Sequence, residues 1–207
     1  MNQTRLEEKW NTISHAIGIV LGVIGFIILL FFNNDKTDFS TMSIVFYGLS
    51  IIILYTSSTI YHAIEDIKWK SIWRKLDHIS IYLLIAGTYT PVSLIALEKG
   101  SGWLIFWIVW GIAILGTVLK IFFTGKFEFL SVLLYLVMGW LVVIDFQSLI
   151  ENTTFYGLNF LMIGGAFYTL GIIFYAIEKI PYNHVIWHFF VLGGSISHYI
   201  FILTDVI

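Results

Sequence analysis

The sequence predicts an all-α fold: a bundle of seven transmembrane helices with its N-terminus cytoplasmic and its C-terminus extracellular. Three observations predict it. Of the 207 residues, 58% are hydrophobic and only 12% charged, with a mean hydropathy of +0.89, whereas soluble domains carry roughly a quarter charged residues. Seven apolar runs are long enough to cross a bilayer, since about 20 apolar residues span a ~30 Å hydrocarbon core. Lysine and arginine fall very unequally on the two sides those runs define. Inside lipid only helices or closed barrels satisfy the backbone, and continuous apolar runs of this length specify helices.

The first run is Ile13–Phe32. Twelve residues carrying both signs of charge precede it, and it exceeds the roughly 7–15 residues of a signal-peptide core, so it reads as a retained span. The second is Thr41–Ile64, with Ser58 and His62 near its end. The third, Leu76–Leu97, opens on Asp77 and His78 and contains Pro91, where a kink is expected. The fourth, Trp103–Phe123, carries Lys120, which can snorkel towards the near interface. The fifth, Phe129–Ile150, has Asp145 towards its far end, read as interfacial. The sixth, Phe155–Ile177, contains Gly164–Gly165, and the seventh, His184–Ile207, contains Gly193–Gly194. Both glycine pairs are expected to allow close helix approach. Asn183, after Pro181, is the expected N-cap of the seventh helix. Trp10, Trp69, Trp73, Trp103 and Tyr182 lie near the expected interfaces, as aromatic belts do. The loops are short and no stretch remains for a soluble domain, so residues 1–207 read as one membrane domain.

Charge sets the orientation. Nine of the eleven basic residues fall on the N-terminal side: Arg5, Lys9, Lys68, Lys70, Arg74, Lys75, Lys120, Lys126 and Lys179. Only Lys36 and Lys99 fall on the other. Positive loops stay inside, which places the N-terminus in the cytoplasm and the C-terminus outside. A formal net charge of −2 gives no reason to expect a nucleic-acid partner. There is no cysteine, so disulfides and thiolate metal sites are excluded.

Polar residues inside spans are expensive and mark function. Five of the six histidines, His15, His62, His78, His184 and His188, lie near span ends that share the cytoplasmic side, together with Ser58 and Asp77. His184 and His188 are four apart, on one helical face, and His62 approaches from another helix. Three neutral imidazoles suit a Zn2+ ion with an open fourth position. Asp77 then serves as base for a metal-activated water or as acceptor from a ligand imidazole, and Ser58, one turn below His62, orients that water or polarises a carbonyl. The bland alternative is a polar interfacial patch. His78 points about 100° away from Asp77 and reads as structural. His15 reads either as an anchor or cap of the first helix or as a fourth ligand. His198 lies about 15 Å further along the last helix than His188, too far to share its ion, and reads as a bundle contact.

Four stretches, Glu7–Gly18, Ser57–Ala63, Asp77–Pro91 and His184–His198, resemble those of the bacterial haemolysin III family, in the superfamily of progestin and adipoQ receptors. The resemblance implies zinc held by His62, His184 and His188, with Ser58 and Asp77 at the matching serine and aspartate positions. The adiponectin-receptor branch carries a long cytoplasmic N-terminal region, whereas only about a dozen residues precede the first span here, so hormone-receptor signalling is not implied. The related alkaline ceramidases imply lipid-amide hydrolysis.

Three functions compete. The leading one is a zinc-dependent hydrolase of a lipid amide or ester in the bacterial plasma membrane, its fatty-acyl chain lying among the helices. The second is a membrane-damaging haemolysin, for which the residues offer no releasable amphipathic pore segment. The third is a lipid-binding receptor or sensor with structural zinc.

Overall fold

The computed structural model describes residues 3–207. Its helices are α1 (Arg5–Phe31), α2 (Ser40–Ala63), α3 (Ile67–Pro91), α4 (Gly102–Phe123), α5 (Glu128–Gly139), α6 (Phe146–Asn152), α7 (Phe155–Ala176) and α8 (Asn183–Phe201). α5 and α6, joined by a 3-10 stretch over Leu141–Asp145, make one crossing, so seven helical segments are long and apolar enough to span a membrane. No strand occurs among the described residues. The protein is a multi-pass membrane protein, as the sequence predicts.

α1 packs between α2 and α8; α3 packs on α2, α4 on α3, and α7 on α8. α5 closes the ring more loosely against α3, α4 and α7. Burial follows this order: two-thirds (67%) of the third crossing is buried but only 11% of the fifth. The core between α1, α2, α3 and α8 includes Leu29, Ile44, Tyr47, Tyr55, Tyr82 and Phe201. Large apolar side chains such as Trp107, Phe122 and Phe129 point outward, where in a bilayer they meet acyl chains rather than water.

Two helices begin well before the apolar runs that announce them. α1 starts at Arg5 rather than Ile13, because Thr4 and Glu7 form a reciprocal capping box. α3 starts at Ile67 rather than Leu76, capped by Asp66, whose side chain accepts from Trp69 N at 3.0 Å. These polar turns continue the helices beyond the bilayer, where hydropathy carries no signal. His15, Asp77 and His78 therefore lie about three turns into their helices, not in the first turn.

Asn183 is not the N-cap of α8. Tyr182 holds that position, in a left-handed conformation at φ 57° and without a side-chain cap. Asn183 instead donates from Nδ2 to Phe174 O at 3.0 Å, tying the start of α8 to the end of α7.

The kink expected at Pro91 takes the form of a π-helical turn over Val92–Ala96, consistent with the backbone bond that proline removes. The fifth crossing, expected as one helix, breaks after Gly139. Tyr89 from α3 fills the break: its hydroxyl donates to Gly139 O and accepts from Val142 N, both at 2.9 Å. Irregular backbone at membrane depth survives only where such a partner exists.

Of the glycine pairs, Gly164 lies against the His198 ring, and Gly193 and Gly194 lie against Phe167 and Tyr168, as close packing requires. Gly165 has nothing over it and faces the internal cavity instead. Lys120 does not snorkel freely. It is 1% exposed and pairs with Glu128 Oε2 at 2.9 Å, holding the end of α4 to the start of α5.

Candidate metal centre and cavity

The bundle gathers its histidines where α1, α2 and α8 meet. His62 comes from the last turn of α2, and His184 and His188 from the first two turns of α8. The spacing of four in α8 stacks its two imidazoles on one face. Ring centroids are 4.7 Å apart for His184–His188, 4.9 Å for His62–His188 and 5.2 Å for His62–His184. One nitrogen from each lies within 4.8 Å of the others, a group that could hold a metal ion. Around a tetrahedral ion with metal–nitrogen bonds of about 2.0–2.1 Å, ligand nitrogens sit roughly 3.4 Å apart, so closing on an ion asks only for small ring movements.

Hydrogen bonding tests whether these residues fit a metal. His62 Nε2 and His184 Nδ1 are buried and have no protein partner. Buried polar atoms are normally paired, and several orphans at one point mark a missing ligand. The donor set is all imidazole and the chain has no cysteine, which suits zinc among the metals that favour nitrogen ligands. The residues fit.

His15 is also brought to the cluster, on α1, buried and with both ring nitrogens unpaired. It does not cap or anchor the end of its helix. Its ring stacks on His188, with centroids 3.6 Å apart and planes 10° apart. His15 is not among the three residues whose nitrogens converge.

Ser58 is 1% exposed and its Oγ has no partner. Ser58, Asp77, His15, His184 and His188 all border one internal cavity of about 480 Å³. Asp77 is held in place by its backbone: Ser80 donates to Asp77 O at 2.6 Å and receives a bond from Ser57 at 3.0 Å, which locks α3 to α2. Its carboxylate is 3.6 Å from His78 Nδ1, but that nitrogen has a better partner in Arg74 O at 2.8 Å. His78 Nδ1 is thus engaged with its own helix, and its ring also borders the cavity. His198, further along the cavity wall, has Nε2 3.2 Å from Leu161 O, the bundle contact expected of it. Asp145 accepts from Ser101 N at 2.5 Å at the other end of the bundle, remote from this site.

Sequence reasoning missed the residues around the histidines. Glu8 Oε2 lies 2.6 Å from His62 Nδ1, and Lys70 Nζ lies 2.9 Å from Glu8 Oε1. Ser14 Oγ lies 3.2 Å from His188 Nδ1. The available signal was on α1, where Glu8 and His15 are seven apart and put a carboxylate and an imidazole on one helix face, with the Ser14 hydroxyl about 100° round from His15. Glu8 precedes the first apolar run, where charge is ordinary.

A family model described as "Haemolysin-III related" matches residues 3–199. The chain belongs to the haemolysin III family. It is 42% identical to Hemolysin-3 of Bacillus cereus over 208 residues, covering 100% of this chain and 95% of that protein. It is also 42% identical to the Hemolysin-3 homolog of Bacillus subtilis (strain 168), over 95% of this chain and 93% of the relative. A more distant relative is the monocyte to macrophage differentiation factor of Homo sapiens, 30% identical over 95% of this chain and 83% of that protein. The haemolysin III match runs through α1 to α8 and so includes every residue of the histidine cluster.

Proposed function

We propose that this haemolysin III protein is a zinc-dependent hydrolase of a lipid amide or ester. The observation that carries the reading is the cavity. It has a polar end built from unpaired imidazole and hydroxyl groups beside a carboxylate, and apolar walls such as Leu84, Ile85, Val132, Leu136 and Val191. Pockets of 300–1,000 Å³ with few convergent polar groups are typical of small-molecule sites. The shape suits an acyl chain whose carbonyl reaches the histidines.

His62, His184 and His188 would hold Zn2+, which would supply Lewis acidity and lower the pKa of water. The chain's own residues do the rest. Ser58 Oγ, with no competing partner, donates to the substrate carbonyl and fixes its direction. Asp77 takes a proton from the attacking water, whose oxygen bonds to the acyl carbon as the C–N or C–O bond breaks. The same carboxyl returns that proton to the leaving amine or alcohol. The products are a fatty acid and the free amine or alcohol. The apolar walls keep other water away from the reacting carbonyl.

The excess of basic residues on the N-terminal side supports a bacterial plasma-membrane protein with its N-terminus and this site facing the cytoplasm. The names of the Bacillus relatives favour a second reading, membrane damage; altered lipids would connect it to the first.

The test is to incubate purified protein with ceramide-like and phospholipid substrates, with and without chelator. Fatty-acid release that chelator abolishes is expected. No release from any lipid would favour a lipid-binding receptor with structural metal.

A further inference from the structure

We infer that Glu8 is a positioning residue for the metal centre, fixing which nitrogen of His62 faces the ion, with Lys70 holding Glu8 in place. The inference rests on the metal reading above and goes beyond it, because Glu8 lies on a different helix from every proposed ligand.

A carboxylate accepts hydrogen bonds and does not donate them. At 2.6 Å from Glu8 Oε2, His62 Nδ1 must carry the proton. The bare lone pair is then on Nε2, the nitrogen left buried and unpartnered. A metal-bound histidine that donates its other N–H to a carboxylate has its tautomer and ring orientation set, and is a better ligand.

Glu8 is itself anchored. Lys70 Nζ, from the first turns of α3, bonds Glu8 Oε1 at 2.9 Å and donates to Tyr61 O and Ile64 O, each at 3.2 Å. Those carbonyls belong to the C-terminal end of α2, one residue before and two after His62. The lysine thus ties the carboxylate to the helix end that carries the ligand.

His188 shows the same device in a neutral form. The one hydroxyl hydrogen of Ser14 goes to Asn11 O at 2.9 Å, so Ser14 Oγ accepts from His188 Nδ1–H and leaves Nε2 bare. His184 has no such partner, since its Nδ1 is unpaired. α1 therefore orients two of the three ligands, one through a charge and one through a hydroxyl.

The test uses full-length protein in detergent, titrated with Zn2+ against a chromogenic chelator and with Co2+ by its d–d absorption. Glu8→Gln keeps the size but lets its amide present a donor to His62. It should bind Zn2+ about 10–100-fold more weakly, the usual worth of such a partner, with a shifted Co2+ band. Lys70→Gln should lose only a few-fold, and Ser14→Ala likewise. Metal-induced thermal stabilisation should shrink in parallel. A Glu8 that merely ties helices together would lower the melting temperature of metal-free protein and leave affinity and the Co2+ spectrum unchanged. That result overturns the proposal while leaving the metal reading intact. Wild-type protein that takes up neither metal overturns both. Should Glu8→Gln fail to fold, Lys70→Gln decides: unchanged affinity and spectrum would equally overturn the assignment.

Discussion

The two ends of the bundle treat buried ionisable groups in opposite ways. At the C-terminal end, Asp205 accepts from Thr154 N at 2.6 Å and from Thr204 Oγ1 at 2.7 Å, while Lys36 Nζ bonds the Asp205 carbonyl at 3.1 Å. Asp145 is tied to Ser101 N. All but the Thr204 bond join segments distant in the chain, and their evident work is architecture. At the N-terminal end, His15 is unpaired at both nitrogens and His62 and His184 at one each. Unpaired buried polar groups cost roughly 1–3 kcal/mol apiece, and these three imidazoles bring four such nitrogens together. The difference separates polar residues that bond across the bundle from those left free to meet a ligand.

The sharpest way to break this contrast is to remove an imidazole from each region. His184→Ala or His188→Ala should lose most bound zinc and all hydrolysis, measured by elemental analysis and fatty-acid release. His198→Ala, whose ring is satisfied by Leu161 O, should keep its zinc. Full zinc retention in either of the first two variants would mean that the ligands are wrongly assigned.

Next in size is Asp77→Asn. The amide keeps the shape but loses the base, so hydrolysis should fall about 10²–10⁴-fold while zinc stays bound. If the metal is lost instead, Asp77 is a ligand and the division of roles within the site is wrong.

The architectural end is tested by Asp205→Ala. Thr154 N would lose its acceptor, which should cost about 1–3 kcal/mol of stability, read as a lower melting temperature in detergent. Zinc affinity should not move. A variant that melts normally but binds zinc poorly would show that the two ends are coupled.

The smallest effect is expected for Ser58→Ala. A hydroxyl that orients a carbonyl contributes less than a base, so the loss of turnover should be milder than for Asp77→Asn, again with zinc retained. A loss as large as that of Asp77→Asn would make Ser58 more than an orienting group.

Much of this was legible in the residues. Hydropathy located all seven crossings, because a bilayer demands about 20 apolar residues each time. The spacing of His184 and His188 placed two imidazoles on one face, because a helix repeats every 3.6 residues. Depth alone put His62, Ser58 and Asp77 at the same level. The early starts of α1 and α3 were not legible by hydropathy, since polar turns outside the bilayer look like loops. Neither was the break after Gly139, which depends on a tyrosine from another helix.

What the sequence determined by itself was the class, the number of crossings and the level at which the histidines gather, all consequences of local composition and helical period. Only the tertiary structure decided which rings converge as a group that could hold an ion and which stack beside it. It set His15 face to face with His188. It also brought Glu8, 54 residues away in the chain, onto the far nitrogen of His62. Those outcomes depend on how α1 rotates between α2 and α8, and helix rotation is set by packing across the whole bundle rather than by any one segment.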